Sequence, residues 1–206
     1  MTSNLSGGSS TGALSRAMPE LTLIPMGVAL NPAIGTLIHA VKVPVYLDAV
    51  GTIVVTMLVG MRAGIATGVL SFVLGGVLTN PVLPWFAGTQ AAIAIYVALV
   101  GKRGGFRSYR RTIVAGLGLG VVAGVVSAPV IVILFGGITG SGASVVVAFL
   151  LASGRSIMES VVLSGLAAEP LDKTLQCLLA VWLLRGLPRS LLARFEGGSL
   201  AANDLV

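Results

Sequence analysis

Charge is what this chain of 206 residues most lacks. Only 10% of its residues are Asp, Glu, Lys or Arg, against roughly a quarter in an ordinary soluble domain. That is too little polar surface to cover a globule in water, which excludes a soluble enzyme, a secreted disulfide scaffold and a disordered segment. A single cysteine, Cys177, excludes an internal disulfide and a CxxC metal site, and it reads as a small buried apolar side chain. A single histidine, His39, excludes a histidine cluster. No GxxxxGK[ST] loop is present, so the chain holds no nucleotide-hydrolysis motif of its own. The run Gly101-Lys102-Arg103-Gly104-Gly105 is a basic turn rather than a phosphate cradle. No catalytic constellation, metal site or cofactor motif emerges.

What is present is apolar and small. Hydrophobic residues make up 55% of the chain and glycine occurs 28 times, with a mean hydropathy of +1.01. Glycine at this density suits closely packed membrane helices. A spanning helix needs about 20 mostly apolar residues. Leu21–Val41 carries no charge and is the first predicted span. Val45–Gly60 is a shorter second, with Asp48 near its start. The uncharged stretch Ala63–Gly101 holds two more, about 63–79 and 86–101, around the turn Asn80-Pro81-Val82-Leu83-Pro84-Trp85. Thr112–Phe135 is the fifth and Leu171–Leu187 the last. The first span contains Asn31-Pro32, which predicts a kink.

Segment 143–169 is ambiguous, because its apolar part, Ala143–Ala152, is too short to cross. Charge placement decides. Lys and Arg collect on cytoplasmic loops. Lys102, Arg103, Arg107, Arg110 and Arg111 lie in one loop, and Arg185, Arg189 and Arg194 in the tail. Both belong inside, so an even number of crossings separates them, and 143–169 is an outer-face helical or re-entrant segment. Arg16 and Arg62 fall inside on the same map. The expected fold is therefore an all-α integral membrane protein, a six-helix bundle with both termini cytoplasmic. Residues 1–15 form a disordered N-terminus, 16–190 one membrane domain, and 191–206 a cytoplasmic tail. The net charge of +6 is then topological, which removes nucleic acid as a partner.

Two glycine stripes, Gly60/Gly64/Gly68 and Gly116/Gly120/Gly124, recur every four residues and let neighbouring backbones approach. Polar groups in a membrane are costly, so each needs a reason. They gather on the outer side: Asp48, Asn80, Trp85, Gln90, Arg155, Glu159 and Lys173, with Tyr46, His39, Lys42 and Asp172 nearby. Trp85 is either an interface anchor or a stacking wall for a ligand. Gln90 holds a ligand or bonds a neighbouring helix. Asp172-Lys173 reads as a charge pair at a helix start, and Arg155–Glu159 as an i, i+4 pair able to close a lid or meet a charged ligand. The expected pocket is polar, open outward, and built from the fourth to sixth spans with the 80–90 turn.

The stretch from Gly27 to Ala87 resembles the substrate-binding S components of energy-coupling factor vitamin transporters. The carrying features are Val-Pro-Val-Tyr-Leu-Asp-Ala-Val-Gly-Thr at 43–52, Val-Gly-Met-Arg-Ala-Gly at 59–64, and the Asn80-Pro81 loop. Glu-Pro-Leu-Asp-Lys at 169–173 and Gly-Leu-Pro-Arg at 186–189 add to it. The resemblance covers about residues 21–190. It implies a prokaryotic plasma-membrane protein that binds a small water-soluble vitamin or precursor. It also implies docking on a transmembrane coupling subunit with two ATPase subunits, and toppling of the bound protein in the membrane. The family's Ala-x-x-x-Ala docking motif matches Ala29 and Ala33, with Asn31-Pro32 between them as a departure. Two other classes compete: a membrane sensor domain like those of signalling kinases, and a stand-alone small transporter. The transporter reading calls for an inverted repeat, and 21–101 and 112–187 do not correspond.

Overall fold

The structure, a computed structural model, describes the backbone of residues 9–41, 45–140, 143–192 and 195. Side chains in the first helix are described over 22–38, so those of Arg16, His39, Lys42, Arg189 and Arg194 lie outside the described set. Among the described residues the secondary structure is entirely helical. In order come α1 (Ser9–Val41), α2 (Val50–Leu58), α3 (Met61–Leu78), a 3-10 turn at Leu83–Phe86, α4 (Ala87–Lys102), α5 (Tyr109–Phe135), α6 (Ala143–Ala152), α7 (Ile157–Arg185) and α8 (Arg189–Leu192).

Among the described residues, three stretches are long and apolar enough to cross a membrane: Met61–Leu78, Leu83–Lys102 and Tyr109–Phe135. Their outward faces carry large apolar side chains, including Leu74, Val77, Leu99, Val114, Val125 and Ile133, all exposed. Their inward faces carry small and polar ones: Thr67, Ser71, Gln90, Gly116, Gly120 and Ser127 are buried. In water that arrangement would be inside out. In lipid it is expected, because tails solvate apolar side chains while close packing and hydrogen bonds hold helices together. The chain reads as a membrane protein on these grounds.

α1 to α4 pack as one group, and the most extensive pairing elsewhere is α5 with α7, on which α6 also rests. α2 and α4 join the two groups through a core of Ala49, Ile53, Ile93, Val97, Leu119, Cys177 and Val181. Cys177 is wholly buried there, as its isolation in the sequence implies.

Two predicted elements need correction. The second predicted span, Val45–Gly60, is helical only over Val50–Leu58, because α7 supplies partners to the backbone of 45–49. The last predicted span does not begin at Leu171. α7 is one helix of 29 residues running through Pro170, so 157–169 belongs to it, and only α6 is a separate short helix between α5 and α7. A proline forces no stop in a membrane helix whose neighbours accommodate it. Here a side chain at Gly120 of α5 would collide with the Pro170 backbone, so the glycine makes the room. Asn31-Pro32 likewise lies inside continuous helix in α1.

The glycine stripes mostly act as read. Cβ atoms at Gly64, Gly68, Gly116 and Gly120 would run into Thr56, Gln90, Thr174 and Pro170 respectively. Gly60 is different. Nothing lies near it, but its φ of 118° at the start of α3 is a conformation that L residues rarely adopt.

Candidate functional site

The site begins with the first turn of α2. A helix start leaves backbone N–H groups without partners, and Ala49 before α2 offers no capping side chain. Asn31 of α1 does that work from outside. Its Oδ1 accepts from Gly51 N at 2.7 Å and Thr52 N at 3.4 Å. Its Nδ2 donates to Thr52 Oγ1 at 2.9 Å and to Ser71 Oγ at 3.0 Å. Thr52 Oγ1 in turn donates to Gln90 Oε1 at 2.9 Å. A buried polar chain therefore ties α1, α2, α3 and α4. Each member removed from water is partnered, as burial demands.

A second network holds the non-helical strap 45–49 against α7. Asp172 Oδ1 accepts from Tyr46 N at 2.8 Å and Leu47 N at 3.0 Å. Gln176 Oε1 accepts from Ala49 N at 2.9 Å. Leu47 takes a φ of 47°, which is rare for a bulky residue; these bonds hold the strap in place. Lys173, almost fully buried, serves three carboxylates: Asp172 at 2.7 Å, Asp48 at 3.2 Å and Glu169 at 3.6 Å. Its ammonium also sits 5.7 Å from the centre of the Tyr46 ring. Asp172 Oδ2 receives both Lys173 Nζ and Gln176 Nε2, so that carboxylate is saturated.

Between the two networks lies a cavity of about 460 Å³, within the roughly 300–1,000 Å³ usual for small-molecule sites. α1 contributes Asn31, Pro32, Gly35 and Thr36; the strap contributes Val45, Tyr46 and Asp48. α3 adds Ser71 and Phe72, and the chain after it adds Thr79, Asn80 and Leu83. Asn80 accepts from Val82 N through Oδ1 at 3.0 Å, and its Nδ2 has no partner among the described residues. A second void, bounded by α5, α6, α7 and Tyr46, is only about 20 Å³, room for about one water.

The residues expected to line the pocket therefore separate. Asp48 and Asn80 face the larger cavity. Lys173 stands behind Asp48, in mid-helix rather than at a helix start. Gln90 is 2% exposed and bonds Thr52, so it joins helices. Trp85 is 58% exposed and lies outside the lining. Arg155 is exposed. Glu159 turns back to Ser156 N at 3.1 Å, closing a capping box at the start of α7. Those two backbone and side-chain hydrogen bonds from Ser156 hold the Glu159 carboxyl below its ordinary range. The large cavity thus lies among α1, the strap and α3, while the void described among α5, α6 and α7 is small.

Asn31, Ser71, Glu169 and Gln176 were not singled out as site residues. One sequence signal points to part of this set: Glu169, Asp172, Lys173 and Gln176 follow i, i+3, i+4, i+7 spacing, a polar stripe on an otherwise apolar helix. Searches against protein-family models, curated proteins and solved structures return no match to this chain.

Proposed function

We propose that this protein is a membrane-embedded binding subunit that captures a small water-soluble, vitamin-like molecule for uptake. The carrying observation is the 460 Å³ cavity with amide, hydroxyl and carboxylate groups in its wall, inside a molecule whose outward faces are apolar. A water-soluble ligand loses hydration on entering such a bundle, and its hydrogen bonds must be replaced by protein groups. Asn80, Thr36 and Asp48 are positioned to replace them. The resemblance to S components supports the same reading, with a coupling subunit and two ATPase subunits as partners in a prokaryotic plasma membrane. Ala29 and Ala33 are exposed on α1, as a docking stripe requires.

Six crossings with both ends inside belong to this proposal. α1, α3, α4 with its preceding turn, α5 and α7 make five. The strap and the nine-residue α2 make the sixth, a non-helical entry whose N–H groups bond α7 followed by a short helix, irregular backbone being tolerated in a membrane where it is buried in protein.

The test is mass spectrometry of small molecules released from protein purified in mild detergent, from wild type and from Asn80→Ala. A single retained polar metabolite, depleted in the variant, is the expected result. Wild-type protein that retains nothing, and that gains no thermal stability from a panel of water-soluble vitamins, would remove the reading. Ala29→Phe should weaken recovery of a coupling subunit while leaving ligand retention intact, because helix approach in lipid depends on small side chains.

A further inference from the structure

The lining of the large cavity carries one formal charge among the described residues, and it is negative. Asp48 is 24% exposed by its side chain. Its Oδ1 accepts from Lys173 Nζ at 3.2 Å and from Gln176 Nε2 at 3.5 Å, while its Oδ2 has no hydrogen-bond partner among the described residues. Lys173 does not neutralise it fully, because one ammonium is shared by three carboxylates and lies nearest Asp172, at 2.7 Å. Asp172 is wholly buried and already satisfied by four donors. Glu169 stands farther from the ammonium, at 3.6 Å, with its buried Oε2 lacking a hydrogen-bond partner among the described residues, but it lies outside the large cavity's lining. Of the two carboxylates left short of positive charge, Asp48 is the one that faces that cavity.

We propose that this cavity selects an organic ammonium, a ligand with a protonated amine on an apolar or aromatic body. This rests on the small-molecule reading above and narrows it by charge. An anionic ligand would bring like charge to Asp48 where water is scarce, and that juxtaposition is costly. A neutral ligand would displace water from the carboxylate and return at most a hydrogen bond, without counter-charge. An ammonium restores the missing counter-charge at Oδ2. The rest of the wall suits an organic body rather than a bare ion. Phe72, Val45, Pro32 and Leu83 are apolar, and Phe72 offers a ring. The described residues hold no group of three His, Cys, Asp or Glu able to hold a metal ion, and hard cations require several oxygens closely arranged.

A charge series on one ring system tests this. Tryptamine, indole-3-propionate and neutral 3-ethylindole are titrated calorimetrically into the full chain in nanodiscs. Tryptamine should bind at least about tenfold more tightly than indole-3-propionate, the factor set by one charge–charge contact of modest strength. Asp48→Asn should reduce that preference to within about threefold. Asp172 and Glu169 remain to pair Lys173 in that variant. Asn80→Asp, elsewhere in the same lining, should enlarge the preference, and it keeps the test decisive if Asp48→Asn fails to fold. Equal or tighter binding of the anion, or a cation preference unchanged in Asp48→Asn, overturns the charge selectivity and leaves the small-molecule reading standing. No heat from any of the three overturns the organic-ammonium proposal, and the binding reading falls with it only if purified protein also retains no metabolite.

Discussion

Lys173 shows how much a single side chain can decide. Burying an ammonium is tolerable only with partners, and removing one member of a buried ion cluster leaves the others uncompensated. Lys173→Gln would leave Asp48, Asp172 and Glu169 around a neutral amide. A loss of about 3–5 kcal/mol is expected, read as a lower midpoint in thermal unfolding in detergent. An unchanged midpoint would mean that the carboxylates find protons or water instead. Asn31→Ala is a milder case. It frees the first N–H groups of α2 and one hydroxyl network, at about 1–3 kcal/mol. Hydrogen exchange at Gly51 and Thr52 should rise before the rest of α2 responds, and equal protection in the variant would deny Asn31 its capping role. Lys173 and Asp172 were visible in the sequence as costly polar residues, but as a pair at a helix start. Their partners were not visible, because Asp48 lies 125 residues from Lys173 along the chain.

At the scale of elements, the pairing of α5 with α7 depends on glycine where backbone meets backbone. Gly120→Val should force Pro170 away and cost about 1–3 kcal/mol by overpacking. Gly124→Ala, where the nearest atoms stand at 3.7 Å, should be nearly neutral. Melting curves of the two variants separate a tight stripe from a merely glycine-rich one. The start of α7 lies outside the three apolar crossing stretches and carries its own signal, Ser156 and Glu159 in a reciprocal cap. Because the folded Glu159 carboxyl titrates below its ordinary range, the cap contributes above the unfolded value and is lost as pH falls through the folded one. Ser156→Ala should move the Glu159 titration back up, a shift followed by NMR of labelled glutamate. No movement would show that Ser156 does not hold it. The strap 45–49 was illegible as such. Its residues look like the start of a helix, and only the side chains of α7 take up the N–H groups that a helix would have used.

For the whole molecule, the distribution of cations is the feature with the longest reach. Lys102, Arg103, Arg107, Arg110 and Arg111 crowd the connection between α4 and α5. On the rule that such loops stay cytoplasmic, a cysteine introduced at Arg107 in a Cys177→Ala background should resist an impermeant maleimide in intact cells. It should react once the cells are opened. Labelling from outside would invert the topology. The same orientation underlies the proposed uptake direction.

The sequence alone determined that the chain is helical, apolar on the outside and built on small residues, because composition and run length are local quantities that lipid and helix geometry convert directly into elements. It also determined that Asp48 and Asn80 belong to a polar region. Tertiary structure decided the rest. Gln90 became a helix-to-helix bond instead of a ligand contact, since Thr52 lies across from it. Proline left α7 unbroken, since Gly120 gives it space. The described cavity of useful size lies beside α1, the strap and α3, while the one described among α5 to α7 holds about 20 Å³, and the α5–α7 interface closes on Gly116 and Gly120. Those outcomes depend on which side chains meet across long separations, a quantity that periodicity along one chain does not contain.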